Sequence, residues 1–167
     1  FFSALISLIW HVKVYDVILL ASCKIGALFT IFTLITGAIW GKPMWGTWWA
    51  WDARLTSELI LLFIYLSILL LYSSFDDHKK ATTSVNILSI VGFINIPIIH
   101  FSVEWWNTLH QGPSVIKLSS PSIAGDMLFP LIITAIGFSL FYFGTMFKSS
   151  QNILLVLEKN KSWVKSI

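Results

Sequence analysis

The chain has 167 residues, of which 56% are hydrophobic and 11% are charged, and its formal net charge is +3. A soluble protein has about 25% charged residues, and a soluble fold of this length could not bury so much apolar surface. Composition therefore excludes an ordinary soluble domain and predicts an all-α integral membrane protein, with residues 1–167 forming a single transmembrane domain. The basic residues lie between hydrophobic runs or near the C-terminus. This distribution argues against a nucleic-acid partner, which would require a basic stripe on a polar domain.

Hydrophobic runs predict about five membrane segments. Residues 1–10 provide only about half of the roughly 20 residues that a span needs, so we interpret them as the end of a helix whose beginning precedes residue 1. Cys23, the single cysteine, lies in an apolar run and is expected to pack rather than react. A polar turn is predicted at 75–83 and a basic tail after 147. The remaining predicted spans are 17–40, 53–74, 84–100 and 127–147, with longer connections at 41–52 and 101–126.

The basic residues predict the orientation of these spans. Alternation places the turns near His11 and Asp76 on the same side as the C-terminal tail. That side carries Lys13, Lys79, Lys80, Lys148, Lys159, Lys161 and Lys165, whereas the other side carries Lys42, Arg54 and Lys117. Because cytoplasmic loops are enriched in Lys and Arg, the first side is predicted to be cytoplasmic. The connections 41–52 and 101–126 are then expected to meet on the non-cytoplasmic face.

The first of these connections is rich in tryptophan. Within twelve residues the sequence places Trp40, Trp45, Trp48, Trp49 and Trp51. An aromatic belt at the membrane surface is one interpretation, but a belt needs only about one or two Trp residues per helix end. Trp45, Trp48 and Trp49 have i, i+3, i+4 spacing, which predicts a helix from about Thr47 with these rings on one face. Such an aromatic shelf suits a large, flat, apolar ligand.

The second connection contains Trp105 and Trp106, followed by His110. A neutral imidazole is the commonest protein ligand of heme iron, so His110 is a candidate ligand beside the aromatic shelf. A single loop histidine is more often a solvated polar residue. His100 is the competing candidate. Its alternative interpretation is structural, with the ring bonding backbone groups that Pro97 frees.

Charged residues near the aromatic shelf suggest further contacts. Lys42 and Arg54 are cations suited to the two propionates of a heme. An i, i+4 helix pair with Glu58 is the alternative interpretation for Arg54. Asp52 is expected to cap the third span, because Asp is stabilising at a helix N-terminus.

These two stretches resemble one known family. The run from Trp40 to Glu58, WGKPMWGTWWAWDARLTSE, contains the tryptophan-rich signature of heme-handling proteins and is similar to heme exporter protein C, the CcmC family. The later stretch 95–112, which ends EWWNTLHQG, resembles the same family. The two motifs occur in the family's order, and the likeness covers nearly the whole chain.

The resemblance implies a six-span protein of the bacterial or mitochondrial inner membrane that acts in cytochrome c maturation and is not an enzyme. It implies that b-type heme is held non-covalently on the outer face and passed to the heme chaperone CcmE, alongside the ATP-driven CcmAB transporter and the small subunit CcmD. His110 corresponds to one of two axial iron ligands, and the other family histidine precedes residue 1. The implied heme-binding residues are Trp40, Trp45, Trp48, Trp49, Trp51, Asp52, Trp105, Trp106, Lys42 and Arg54.

Two other functions compete with this interpretation. A cytochrome c heme lyase shares the signature, but lyases are longer, with more spans and further histidines. A secondary transporter is expected to place ionisable residues at mid-membrane. Lys24 is the one candidate for that role, and it lies near a predicted helix end.

Overall fold

The computed structural model describes residues 1–112, 123–161 and 164, and all regular structure in this part is α-helical. The helices are α1 Phe2–Trp10, α2 Lys13–Trp45, α3 Ala53–Ser73, α4 His78–Gly92, α5 Asn95–Trp105 and α6 Gly125–Leu157. Four stretches of the described chain are long and apolar enough to cross a membrane: α2, α3, α4 with α5, and α6. The predicted class, an all-α integral membrane protein, is confirmed. With the nine-residue α1, these stretches account for the five predicted segments.

The main core lies where α1, α2, α3 and α4 meet. Leu20 and Cys23 of α2 pack there with Ile68 of α3 and Val85 of α4, and Ala4 of α1 closes the cluster. Cys23 is buried, as expected for a packing residue. Because a membrane offers no hydrophobic drive between helices, close packing of this kind holds such a bundle together.

Two glycines allow the helices to approach closely. A Cβ atom on Gly26 of α2 would lie 2.7 Å from Cζ of Tyr65 on α3, and one on Gly92 would lie 2.6 Å from Cγ2 of Ile64. Both distances are shorter than any ordinary carbon contact. A side chain at either position would therefore displace the Tyr65 ring or the Ile64 side chain, or move α3 itself.

α6 is peripheral to this core. It packs chiefly against α2, and Met146 is its one buried residue among those described. Between the two helices lies an open groove of about 920 Å³ lined mainly by phenylalanine and threonine. The apolar outer surface of α6 is suited to contact lipid chains.

The predicted span 84–100 differs most from the structure. The helical stretch begins at His78, ends at Trp105 and is interrupted at 93–94 by a tight turn. Asp77 starts it early by capping α4, because its Oδ1 accepts a hydrogen bond from the Lys79 amide at 2.9 Å. Pro97 lies in the first turn of α5, where its missing N–H leaves no helical bond unmade. The prediction of a polar turn reaching Thr83 was therefore wrong at its C-terminal side.

The predicted basic tail after 147 also begins too early. α6 continues to Leu157, because residues after Phe147 still bury apolar surface; Ile153 packs against the clusters around Cys23 and Met146. Lys117 and Lys165, which were counted in the comparison of basic residues, lie outside the described residues, as do residues 113–122 of the predicted outer loop 101–126.

The predicted helix from about Thr47 is absent, and this prediction was wrong. α2 instead runs past Pro43 to Trp45 and ends at Gly46, whose φ of 78° is the left-handed conformation that glycine adopts without strain. Residues 46–52 are irregular. Trp45, Trp48 and Trp49 therefore do not share one helix face.

A buried polar cluster joins three helices near the start of α2. Asn86 of α4 donates from Nδ2 to Ser7 Oγ at 3.0 Å and to Asp16 Oδ1 at 2.9 Å. The Ser7 hydroxyl also donates to Asp16. These bonds fix α1, α2 and α4 relative to one another at the end of the bundle opposite the tryptophan-rich segment.

Candidate functional site

The two unusual segments meet at one end of the helical bundle. His110, in the irregular stretch after α5, places Nδ1 2.8 Å from Oδ2 of Asp52, the residue before α3. The His110 ring also lies against Trp45 at the end of α2, with centroids 4.7 Å apart and planes at 71°. The prediction that these segments come together is thus confirmed. Three residues from separate parts of the chain form the centre of the candidate site.

Trp45 is held in place by its own helix. A Cβ atom on Gly41 would lie 2.9 Å from Cε3 of Trp45. The indole of Trp45 therefore occupies the space that a side chain at position 41 would need. Trp40 packs edge-on against the same ring, with centroids 5.3 Å apart. At the helix end, Lys42 Nζ donates to the carbonyl of Gly46 at 3.0 Å, which satisfies one of the free carbonyls of the last turn. The orientation of Trp45 is therefore fixed by α2 before His110 is added.

Asp52 uses both of its carboxylate oxygens. Oδ1 accepts a hydrogen bond from the Leu55 amide at 2.8 Å, which makes Asp52 the N-cap of α3 as predicted. Oδ2 accepts from His110. The Asp52 side chain is only 7% exposed, so water has little access to either bond. One carboxylate thus links the beginning of α3 to the loop that follows α5.

His110 lies in a loop, as predicted, and its side chain is 20% exposed. Thr108 shapes the turn around it, with Oγ1 3.3 Å from the His110 amide and 3.4 Å from its carbonyl oxygen. Among the described residues, the ring has a hydrogen-bond partner only at Nδ1. A carboxylate can only accept, so in the neutral imidazole the proton is on Nδ1 and the lone pair is on Nε2. Nε2 is the nitrogen available to a ligand.

The remaining tryptophans of the first segment differ in exposure. Trp48 and Trp51 are 58% and 78% exposed, whereas Trp49 is half-buried and stacks edge-on with Trp51 at 5.5 Å. Thr47 holds the backbone by donating from its hydroxyl to the Trp49 carbonyl at 2.9 Å. The Nε1 atom of Trp49 is buried and has no hydrogen-bond partner in the part of the chain that the structure describes. The segment therefore offers two exposed indole faces and an unused donor.

The predicted cations occupy different positions. Lys42 lies 5.8 Å from the centre of the Trp48 ring, which places a positive charge beside the exposed indole. Arg54 is exposed in the first turn of α3. The alternative pairing of Arg54 with Glu58 is not formed, since the ion pairs of the described residues within 4.0 Å do not include it.

Trp105 and Trp106 form a second aromatic group at the end of α5. Trp105 stacks on Phe101 with centroids 5.2 Å apart, and Trp106 packs edge-on against Trp105 at 5.8 Å. His100 is exposed on α5 and contacts the edge of Phe101 at 4.8 Å. Within the described residues it makes no hydrogen bond, so the predicted bond from its ring to backbone groups freed by Pro97 is wrong. The reason is that Pro97 frees no group in the first turn of a helix.

Comparison with known proteins agrees with the motifs. The family model of heme exporter protein C matches residues 1–165. The chain belongs to this family. It is 52% identical over 165 residues to heme exporter protein C of Haemophilus influenzae, covering 99% of this chain and 67% of that protein. The protein of the same name from Escherichia coli strain K12 is 46% identical, over 99% of this chain and 66% of its own length.

A mitochondrial relative belongs to the same group. A putative cytochrome c biosynthesis ccmC-like mitochondrial protein of Marchantia polymorpha is 55% identical over 124 residues, which is 74% of this chain and 50% of that protein. The chain spans about two-thirds of the length of the bacterial relatives. Membership of the heme exporter protein C family places it in heme handling for cytochrome c maturation.

Sequence reasoning selected Asp52 and His110 separately but missed the bond between them. The two residues are 58 positions apart, and no spacing rule connects a helix cap with a distant loop. Gly41 and Thr108 were also missed. The signal for Gly41 was available, because a glycine four residues before a tryptophan in a helix lies under its ring.

Proposed function

We propose that this protein binds heme on the non-cytoplasmic face of the membrane and hands it to a heme chaperone during cytochrome c maturation. The observation that carries the proposal is the contact of His110 with Asp52 and Trp45. It presents an oriented imidazole whose Nε2 makes no hydrogen bond to any described residue, and its ring lies against Trp45 of the tryptophan-rich segment.

The residues at the site fit a heme. A porphyrin is flat and apolar, and the exposed faces of Trp48 and Trp51 supply aromatic surface at the membrane boundary. Heme supplies an iron with axial positions that a histidine nitrogen can fill. His110 Nε2 would hold the iron, while Lys42 and Arg54 would pair with the propionates. The buried and unpaired Nε1 of Trp49 is a further donor for a carboxylate. Trp105 and Trp106 would extend the aromatic surface from the second segment.

The sidedness of the site is part of the proposal. The end of α2, the start of α3 and the end of α5 meet at one end of the bundle, whereas Lys13, Lys79 and Lys80 lie toward the other. The positive-inside rule makes the lysine-rich end cytoplasmic. Cysteine labelling in intact cells should modify Thr47→Cys but not Lys80→Cys with an impermeant reagent. The reverse pattern would invert the orientation.

The partners follow from the family. We propose that the protein acts with a CcmE-like heme chaperone, CcmAB-like transporter subunits and a CcmD-like small subunit, in a bacterial inner membrane or a mitochondrial inner membrane. Relatives named from both bacteria and mitochondria support either compartment. The protein places and releases heme without changing it covalently, which distinguishes it from a heme lyase.

An absorption spectrum of the protein purified in mild detergent tests heme binding. We expect a Soret band that is lost on acid–acetone extraction, since the heme is held non-covalently. Incubation with a heme-free c-type apocytochrome, followed by a pyridine hemochrome assay for covalently attached heme, distinguishes a heme-handling protein from a heme lyase. Heme attached covalently to the apocytochrome by this protein alone would favour the lyase.

A further inference from the structure

We propose that Asp52 is a positioning residue of the heme site: it fixes the tautomer of His110, so that Nε2 carries the lone pair that faces the iron. This inference rests on the proposed function, because it describes how that site is prepared for heme. It assigns to Asp52 a role beyond capping α3 or contacting the ligand.

The first step concerns the two oxygens of the Asp52 carboxylate, which accept hydrogen bonds from different donors. Oδ1 accepts from the Leu55 amide at 2.8 Å and Oδ2 accepts from His110 Nδ1 at 2.8 Å. These donors belong to different segments of the chain. The Asp52 side chain is only 7% exposed, so water has little access to the carboxylate, and hydrogen bonds in such surroundings are stronger than in water.

The second step is the state of the imidazole. Because Oδ2 only accepts, the hydrogen bond requires a proton on Nδ1, and a neutral ring then has its lone pair on Nε2. Metal-binding histidines commonly donate their other N–H to a carboxylate, which fixes the ring orientation and raises its basicity as a ligand. The edge contact with Trp45 restrains the ring plane as well. His110 is therefore arranged as a ligand before heme arrives.

The third step explains why the residue is aspartate. At this position one short side chain has to accept two hydrogen bonds, one at each of two oxygens. Asparagine has the same shape but offers one acceptor and one donor. If its oxygen caps Leu55, its amide nitrogen faces His110 Nδ1 and favours the opposite tautomer, with the proton on Nε2. If it turns its oxygen to His110, α3 loses its cap.

Asp77 provides a matched comparison within the same chain. It is also an N-cap, with Oδ1 2.9 Å from the Lys79 amide, and it is followed directly by a histidine. The Nδ1 atom of His78, however, lies 3.0 Å from the hydroxyl of Tyr72 and not from Asp77. Asp77 therefore caps a helix without orienting an imidazole, and Asp77→Asn changes a cap without changing a histidine tautomer.

The experiment compares heme affinity in four proteins: wild type, Asp52→Asn, Asp52→Ser and Asp77→Asn. Each is purified without heme, and hemin is titrated while the Soret absorbance is followed. Serine keeps the cap, since it is an equally good N-cap residue, but it provides no second oxygen for His110. We expect Asp52→Asn and Asp52→Ser to bind hemin about 10- to 100-fold more weakly, as for loss of an outer partner of a metal ligand. Asp77→Asn should bind like wild type.

A double variant separates positioning from direct contact with heme. If Asp52 acts through His110, adding Asp52→Asn to His110→Ala should cause no further loss of affinity. An additive further loss would show that Asp52 touches heme independently, and it would overturn the inference. Wild-type affinity in both Asp52→Asn and Asp52→Ser would also overturn it. Absence of any Soret band in the wild type would instead defeat the proposed function.

The tautomer has a readout that needs no heme. In protein labelled with ¹⁵N and ¹³C at histidine, the ring shifts show which nitrogen is protonated, and His110→Gln identifies the signal of His110. We expect protonated Nδ1 in the wild type and in Asp77→Asn, and protonated Nε2 or a mixture in Asp52→Asn. Protonated Nε2 in the wild type would contradict the proposal.

Discussion

Two groups of hydrogen-bonded polar side chains lie near opposite ends of α2, and they differ in whether a side chain is left able to bind a ligand. Near its start, Ser7, Asp16 and Asn86 bond to one another between helices, and the cluster is turned inward. Near the other end, about 44 Å from Asp16 to Trp45 by the helical rise per residue, the second grouping joins Asp52 and His110 on irregular segments. Its His110 Nε2 has no hydrogen-bond partner among the described residues. Both groupings cross-link parts of the chain that are far apart in sequence.

The difference shows how a structural polar cluster can be told from a candidate ligand site. In the first grouping Ser7 Oγ, Asp16 Oδ1 and Asn86 Nδ2 bond to one another between helices, so the cluster fixes helix position. Asn86 Oδ1 is buried and has no hydrogen-bond partner among the described residues. In the second, both oxygens of Asp52 are hydrogen-bonded, and the His110 ring is oriented by Asp52 and by contact with Trp45. Bonds that orient a side chain while leaving its reactive atom free are typical of binding sites. The following changes test this contrast.

The largest effect is expected at His110. Replacing His110 by Ala removes the proposed axial ligand, so the Soret band should weaken strongly or shift, while the yield of membrane-inserted protein stays near that of wild type. The matched control is His100→Ala, which removes an exposed imidazole that packs against the Phe101 ring. External imidazole should partly restore the His110→Ala spectrum by filling the vacated position. A Soret shift in His100→Ala alone would reverse the assignment.

A smaller loss is expected from the tryptophan-rich segment. Replacing Trp48, Trp49 and Trp51 together by Ala removes aromatic surface and the unpaired indole donor, so heme content per protein should fall severalfold. Insertion should be unaffected, because it depends on the long apolar helices. Unchanged heme content in a well-expressed triple variant would indicate that the segment is an aromatic belt at the membrane surface and does not bind heme. Phe at all three positions is the control, since it keeps aromatic faces but removes the indole donors.

At the opposite end of α2, Asn86→Ala should affect stability alone. It removes the Nδ2 donor that bonds both Ser7 Oγ and Asp16 Oδ1, so among the described residues these two atoms keep only the bond between them and α4 is no longer tied to α1 and α2; loss of such hydrogen bonds costs about 1–3 kcal/mol. Thermal unfolding in detergent should occur at a lower temperature. The hemin affinity measured on the folded protein should remain that of wild type, and a large affinity loss would contradict the separation of the two ends.

The smallest effect concerns packing between α2 and α3. Gly26→Ala places a methyl group 2.7 Å from Tyr65, and such overpacking typically costs about 1–3 kcal/mol, partly offset by about 1 kcal/mol of helix propensity. Gly37→Ala on the same helix meets nothing within 4 Å and is the control. We expect reduced thermal stability in the first variant and unchanged or slightly increased stability in the second. Equal stability would show that α3 can shift without cost.

Much of the fold could be read from hydrophobic runs. The bounds of α3 were predicted to within a residue, because the capping Asp52 precedes it, the apolar run 59–71 forms its body and two serines follow that run. The predicted ends of α2 and of the α4–α5 stretch were less accurate. The span 17–40 was predicted to end at Trp40, yet α2 continues past Pro43 to Trp45, and the left-handed Gly46 ends it. The turn at 93–94 has no strong sequence signal, since Phe and Ile are common in helices of membrane proteins.

The sequence by itself determined which residues are available at the candidate site: the tryptophans, Asp52 as a helix cap, and His110 in a loop. Each of these follows from local chemistry, because caps, aromatic enrichment and loop position depend on near neighbours along the chain. Only the tertiary structure decided that Asp52 also holds His110 and that Trp45 lies against the same ring. Such contacts depend on how α2, α3 and α5 pack, and helix packing brings together residues whose separation in sequence carries no information about their distance.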